Sequence, residues 1–158
     1  SKGAVVQDLG DRKAGQPGLS WVGHEPALYL DFSAQENLEF FQSIGGGEGN
    51  SLCSLREALS RVGLDRAANK RVRAFSRGMK QRLALARLLV EGRPLWLMDE
   101  PSTGLDAESR QVLYEVIALH RERGGAVVLV SHHEEVLQEA CNQVLCLVKG
   151  RLQEEGAL

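Results

Sequence analysis

FSRGMKQRLALAR, residues 75–87, and LWLMDEPSTGLD, residues 95–106, are the two stretches on which the fold turns. In the first, Ser76 stands where a helix N-cap belongs and Gly78 leaves the first turn open. A hydroxyl, free backbone N–H groups and the positive end of the helix dipole then converge on one spot, which suits an anion. The same helix, expected over Arg77 to about Glu91, places Met79, Leu83, Ala86 and Val90 on one stripe, with Lys80, Gln81, Arg82 and Arg87 largely elsewhere. The second stretch reads as a buried strand, Leu95 to Glu100, that ends in two carboxylates at its carboxyl edge, where open α/β sheets bind ligands. Successive strand side chains diverge, so Asp99 and Glu100 can divide the work. One helps hold Mg²⁺ through its water shell while the other faces an attacking water, as phosphoryl transfer requires. Taken singly, Ser-x-Gly is more often a plain N-cap, and Asp-Glu before Pro101 can be a turn former. Their order along the chain favours phosphate chemistry for both.

Outward from this centre, residues 1–32 carry two short apolar segments, Ala4–Val6 and Leu19–Val22, around a glycine-bearing polar stretch, and read as strand, turn, strand. From Ser33 the period changes. Ser33 and Glu36 have capping-box spacing ahead of Leu38, Phe40 and Phe41, and Leu52, Leu55, Leu59 and Val62 share a face of a second helix before Gly63. Residues 33–91 are therefore expected as a helical subdomain that contains the Ser76 helix, inserted in an α/β core made of 1–32 and 92–158. After Asp106 come a helix from about Ala107 to Arg121, Gly124-Gly125, and the continuous apolar run Ala126–Val130. That order argues for a parallel βαβ unit buried on both faces. A last strand, Gln143–Val148, turns at Lys149-Gly150 into a polar tail. The whole is expected to be a single α/β domain.

Composition excludes several alternatives. The formal charge is −2, with basic residues dispersed apart from Lys70, Arg71, Arg73, Arg77, Lys80 and Arg82, so nucleic acid is not an expected partner. Three cysteines, Cys53, Cys141 and Cys146, lack C-x-x-C spacing or a histidine cluster and read as thiols of a reducing compartment. No apolar run approaches the ~20 residues of a membrane span, and no signal peptide is evident. The glycine cluster Gly45-Gly46-Gly47-Glu48-Gly49-Asn50 joins two helices and has no lysine, so it reads as a connector and not as a phosphate loop. No Gly-x-x-x-x-Gly-Lys-Ser/Thr motif occurs, and no glycine is followed directly by lysine.

With the order of these parts in view, residues 19–151 resemble the nucleotide-binding domain of ATP-binding-cassette (ABC) ATPases from its Q-loop onward, and through them a P-loop NTPase-like fold. The resemblance implies that Ser76, Arg77, Gly78 and Met79 form a signature that contacts the γ-phosphate of ATP held by an opposite protomer. It implies that Asp99 is the Walker B aspartate, Glu100 the base that polarises water, and His132, after Val127–Ser131, the switch histidine. Ser102–Asp106 matches the D-loop at the dimer interface, so Asp106 joins the candidate site. His24 occupies the Q-loop position where glutamine is usual, and its imidazole is a candidate to ligate the metal or hydrogen-bond near its bound water; FSRGM stands in place of LSGGQ. The adenine-stacking aromatic residue and the phosphate loop are expected upstream of Ser1, and the chain by itself is expected to be deficient in turnover. His133 is expected as a solvated neighbour of His132, and His120 as structural or exposed.

The segments around Gly23-His24, Phe32–Phe40 and Glu122–Ala126 resemble the haem-exporter ATPases of cytochrome c maturation, and FSRGMKQR resembles ABC-2-type exporter ATPases. The implied cofactors are ATP and Mg²⁺. The implied partners are a second nucleotide-binding domain, identical or not, and an integral-membrane permease, which places the chain on the cytoplasmic face of the membrane. Tyr29, Phe32, Phe40 and Phe41 are candidates for permease contact, or else fill the insert's own small core. Only about fifty residues separate His24 from Ser76, too few for the coiled coil of a DNA-repair relative. A non-catalytic, partner-binding or regulatory module is the alternative reading that the missing phosphate loop favours.

Overall fold

A computed structural model describes residues 2–6, 18–46 and 51–157. The elements are β1 (Lys2–Val6), β2 (Leu19–Val22), α1 (Ala34–Gly45), α2 (Leu55–Arg61), α3 (Arg77–Glu91), β3 (Leu95–Asp99), α4 (Ala107–Glu122), β4 (Ala126–Ser131), α5 (Glu134–Ala140), β5 (Gln143–Val148) and β6 (Arg151–Ala157). Among the described residues the strands form one sheet in the order β2-β3-β4-β1-β5-β6.

The functional half of the sheet is parallel. β2 pairs with β3, and β3 with β4, in the registers Val22↔Met98 and Asp99↔Val130. The β3–α4–β4 unit is thus the parallel βαβ that continuous apolar strands require. Trp96, Met98 and Leu129 are fully buried, and the Trp96 ring stacks on His120 of α4, with centroids 3.7 Å apart and planes 5° apart. His120 is therefore structural. A Cβ on Gly125 would lie 2.1 Å from that imidazole, so glycine at the start of β4 is what lets the stack close.

The two N-terminal strands are both present but are not neighbours, for β1 lies antiparallel between β4 and β5, and β2 at the opposite edge. The polar stretch joining them falls mostly outside the described residues, as do residues 47–50 of the glycine cluster. The expected polar C-terminal tail is corrected: Lys149 and Gly150 both have positive φ, 47° and 78°, which closes a tight hairpin and pairs β6 with β5. Backbone pairing overrides the polar pattern there. A helix that periodicity did not single out, α5, buries Val136, Leu137 and Ala140 directly after the two histidines.

The helices begin where their caps stand. Ser33 and Glu36 form a reciprocal capping box, Ser76 accepts from Met79 N–H, and Asp106 accepts from Ser109 N–H. α3 packs against α1 and α2 on one side and reaches β2 and α4 on the other. Leu83–Val90 are almost wholly inaccessible, so the helix is buried nearly all round and not along one stripe. One continuous apolar cluster runs from Leu38 and Leu59 through α3 to Trp96, Leu113 and Leu137. Among the described residues no helix is long and apolar enough to cross a membrane.

Candidate functional site

The site lies at the carboxyl ends of β2, β3 and β4, brought side by side by the parallel registers. β3 ends in Asp99, exposed, and the chain then turns at Glu100, whose φ of 51° is the left-handed conformation that non-glycine residues seldom adopt. Such a backbone costs about 1–3 kcal/mol and persists where the surroundings hold it. Here Glu100 N–H donates to Val130 O at 2.8 Å, and Thr103 N–H donates to Glu100 O at 3.1 Å.

The turn directs the Glu100 carboxylate towards the end of β4. His132 donates to Oε1 from its backbone N–H at 2.9 Å and from Nδ1 at 2.7 Å. The Ser131 hydroxyl donates to Oε2 over a longer 3.4 Å and accepts from His133 N–H at 3.1 Å. The two residues expected as base and switch therefore touch. Asp99 and Glu100 do part, though not by the expected strand alternation: β3 ends at Asp99, which stands in solvent, and Glu100 lies in the turn beyond it and reaches His132. His133 is exposed, with its ring centroid 3.9 Å from that of His132.

The Ser76 helix approaches from the other side. Ser76 is exposed and caps α3 through Met79 N–H at 3.2 Å, and a Cβ added to Gly78 meets nothing within 4 Å. Open space above Gly78 is what an approaching anion needs. Arg77 reaches across: its guanidinium donates to His24 Nε2 at 3.0 Å, and its Nε lies 3.1 Å from where a Cβ on Gly104 would be. With that nitrogen engaged by a cation, ligation of a metal through it requires Arg77 to move. Asp106, by contrast, is turned to its own helix, its Oδ1 accepting from Ser109 N–H at 2.8 Å. The Ser109 hydrogen bonds, side chain first and then backbone, hold its carboxyl below the usual carboxylate range.

Arg87 and Gln81 were not singled out by sequence as site residues, yet both tie α3 to the loops of the site. Arg87 was expected away from the apolar face and is 4% exposed. It donates to Ala27 O at 2.8 Å and to Trp21 O, so it holds the chain on both sides of His24. Glu91 lies 3.2 Å from its Nε and accepts in turn from Ser20, and the guanidinium stands 4.6 Å over the Phe41 ring. Burial lowers its pKa while Glu91 raises it. Gln81 donates to Pro101 O at 3.1 Å from a buried position, fixing the turn after Glu100. The i,i+4 spacing of Arg87 and Glu91 was the available signal.

The aromatic residues divide between the two expectations. Phe41 is buried and Phe40 half-buried, in edge contact at 5.4 Å, whereas Tyr29, Leu30 and Phe32 expose 45%, 49% and 39% of their surface. Asn37 clamps this loop: its side chain accepts from Tyr29 N–H at 2.8 Å and donates to Tyr29 O and Ser33 O, both at 2.9 Å.

Comparison with known proteins bears on the same residues. The sequence profile of a family described as ABC transporter matches residues 2–103. The cytochrome c biogenesis ATP-binding export protein CcmA 2 of Cupriavidus metallidurans is 39% identical over 124 residues, covering 76% of this chain and 58% of that protein. CcmA of Paracoccus denitrificans is 38% identical over 128 residues, covering 81% and 59%. ABC transporter I family member 1 of Arabidopsis thaliana is 37% identical over 114 residues, covering 72% and 48%. A solved structure described as the ATP binding subunit of an ABC transporter superposes with a TM-score of 0.79 at 26% identity, covering 89% of this chain and 59% of that one. The chain thus spans less than two thirds of the length of each of these relatives.

Proposed function

The chain belongs to the ABC transporter family, and from that premise we propose that it is the signature- and base-bearing part of an ATP-hydrolysing subunit that drives export through a membrane permease. The observation that carries this reading is the Glu100–His132 pair at 2.7 Å, set at the ends of adjacent parallel strands with the open Gly78 turn on the same chain. Glu100 accepts the proton of the attacking water. His132 orients Glu100 and hands its imidazole to the terminal phosphate as the site fills. Asp99, an exposed carboxylate at the strand end, is a hard oxygen donor suited to the shell of Mg²⁺. Mg²⁺ when bound neutralises charge on the phosphate oxygens. Ser76, Arg77, Gly78 and Met79 present N–H groups and positive charge to nucleotide on a second domain in a head-to-tail dimer, with Asp106 and the 102–106 loop at that boundary.

His24, held by Arg77, couples the loop after β2 to the signature helix. Tyr29, Leu30 and Phe32 form an exposed apolar face beside that loop, suited to a permease helix. Residues 33–91 then move as one helical unit against the sheet. The CcmA relatives are named ATP-binding export proteins of cytochrome c biogenesis, which supports an export role of that kind. Haem is the substrate class of this proposal, and the cytoplasmic face of the membrane its place.

The experiment is ATP hydrolysis with Mg²⁺ by this chain and by the chain joined to a phosphate-loop segment, each beside its Glu100→Gln variant. Turnover only in the joined form, lost in Glu100→Gln, supports the reading. Joined protein that binds ATP and never turns over favours the alternative, a partner-binding or regulatory module.

A further inference from the structure

Glu100, His132 and His133 form a cluster of metal-ligating side chains. Each offers one ligand atom, a carboxylate oxygen or an imidazole nitrogen, and the three atoms lie within 4.8 Å of one another. Ligands of a tetrahedral zinc ion are about 3.3 Å apart, given bonds of roughly 2.0–2.1 Å. The Glu100–His132 pair is already closer than that, at 2.7 Å, and the exposed His133 offers a ring nitrogen within 4.8 Å of both.

The surroundings are built for it. The left-handed backbone of Glu100 aims its carboxylate at β4, and His132 N–H and Ser131 Oγ hold that carboxylate in place. Ser131 also accepts from His133 N–H, so one hydroxyl orients the carboxylate and the backbone of the third ligand. The imidazoles are accessible, with 65% of the His132 side chain exposed, which leaves an entry path and room for a water as fourth ligand. Two imidazoles and one carboxylate select Zn²⁺, Ni²⁺ or Cu²⁺ over Mg²⁺, which prefers oxygen alone.

We propose that Glu100, His132 and His133 chelate a transition-metal dication, Zn²⁺ being the type case, at a site separate from the Mg²⁺ of hydrolysis. Binding breaks the Glu100–His132 hydrogen bond, and so takes both groups away from water and phosphate. The site itself does not depend on the ATPase reading, since it rests on these three side chains alone.

The test is titration of this chain with Zn²⁺ in millimolar Mg²⁺, beside His133→Asn and Glu100→Gln, with Co²⁺ absorption recorded on the same proteins. One Zn²⁺ per chain, an affinity at least tenfold weaker in both variants, and a Co²⁺ spectrum without thiolate charge transfer are the expected results. No stoichiometric binding overturns the proposal. Binding that ignores both substitutions, or that shows cysteine ligation through Cys53, Cys141 or Cys146, overturns it equally. Circular dichroism of each variant separates loss of a ligand from loss of fold.

Discussion

At the scale of single residues, Glu100 and Gly78 show how a side chain and its absence each serve the site. Glu100 accepts an unfavourable backbone, and its carboxylate reaches His132 only because of it. Glu100→Gln preserves shape and donor contacts in part but cannot take a proton. In protein that carries a phosphate loop, its turnover is expected to fall by roughly 10²–10⁴-fold while ATP binding persists, with a longer-lived nucleotide-bound dimer measured by size-exclusion chromatography. Gly78 has no steric neighbour, so Gly78→Ala should leave stability unchanged or raise it by up to about 1 kcal/mol. If the open turn receives phosphate, the same variant loses hydrolysis; a variant with higher Tm and undiminished turnover would remove Gly78 from the site. Asp106 adds a pH dependence of known sign. Its folded pKa is lowered by Ser109, so its cap stabilises fully above the ordinary value of about 3.9 and is lost as pH falls through the lowered one. Asp106→Asn should shrink the loss of Tm between about pH 5 and pH 2, read by thermal melts.

At the scale of elements, α3 is the part on which the rest depends, because its Ser76 cap opens on solvent at one end and its length clamps both flanking loops. Arg87 is the clearest case. Removing its charge leaves Glu91 buried beside Ser20 without its cation, and strands the carbonyls of Trp21 and Ala27. Arg87→Leu should destabilise by roughly 3–5 kcal/mol in urea unfolding, whereas the double variant Arg87→Leu, Glu91→Leu should recover part of that loss. The start of α3 was legible from Ser76, since a cap is local. Its burial all round was not, because an arginine inside it has partners 60 and 66 residues away and a glutamine one 20 residues away. The same reason hid β6 and α5: one is made by pairing with β5, the other by what covers Val136 and Leu137.

At the scale of the whole molecule, the head-to-tail reading makes a prediction that no single chain can satisfy. In a mixed dimer of phosphate-loop-bearing protein, a double substitution of Ser76 and Gly78 on one protomer should disable the site on the other, read by placing Glu100→Gln on either side. An effect confined to the substituted protomer's own site would sink that arrangement. The sequence by itself determined the α/β class, the helix starts at Ser33, Ser76 and Asp106, and the carboxylates at the end of β3, because periodicity, caps and strand polarity act over a few neighbouring residues. Only the tertiary structure decided that Glu100 meets His132, that Arg77 meets His24, that Arg87 is a buried clamp and that His133 lies within 4.8 Å of the Glu100–His132 pair. Those contacts join residues 32, 53 and 60 positions apart, or depend on the rings of neighbours turning the same way. It is the parallel register of β2, β3 and β4 that carries such distant residues to one edge.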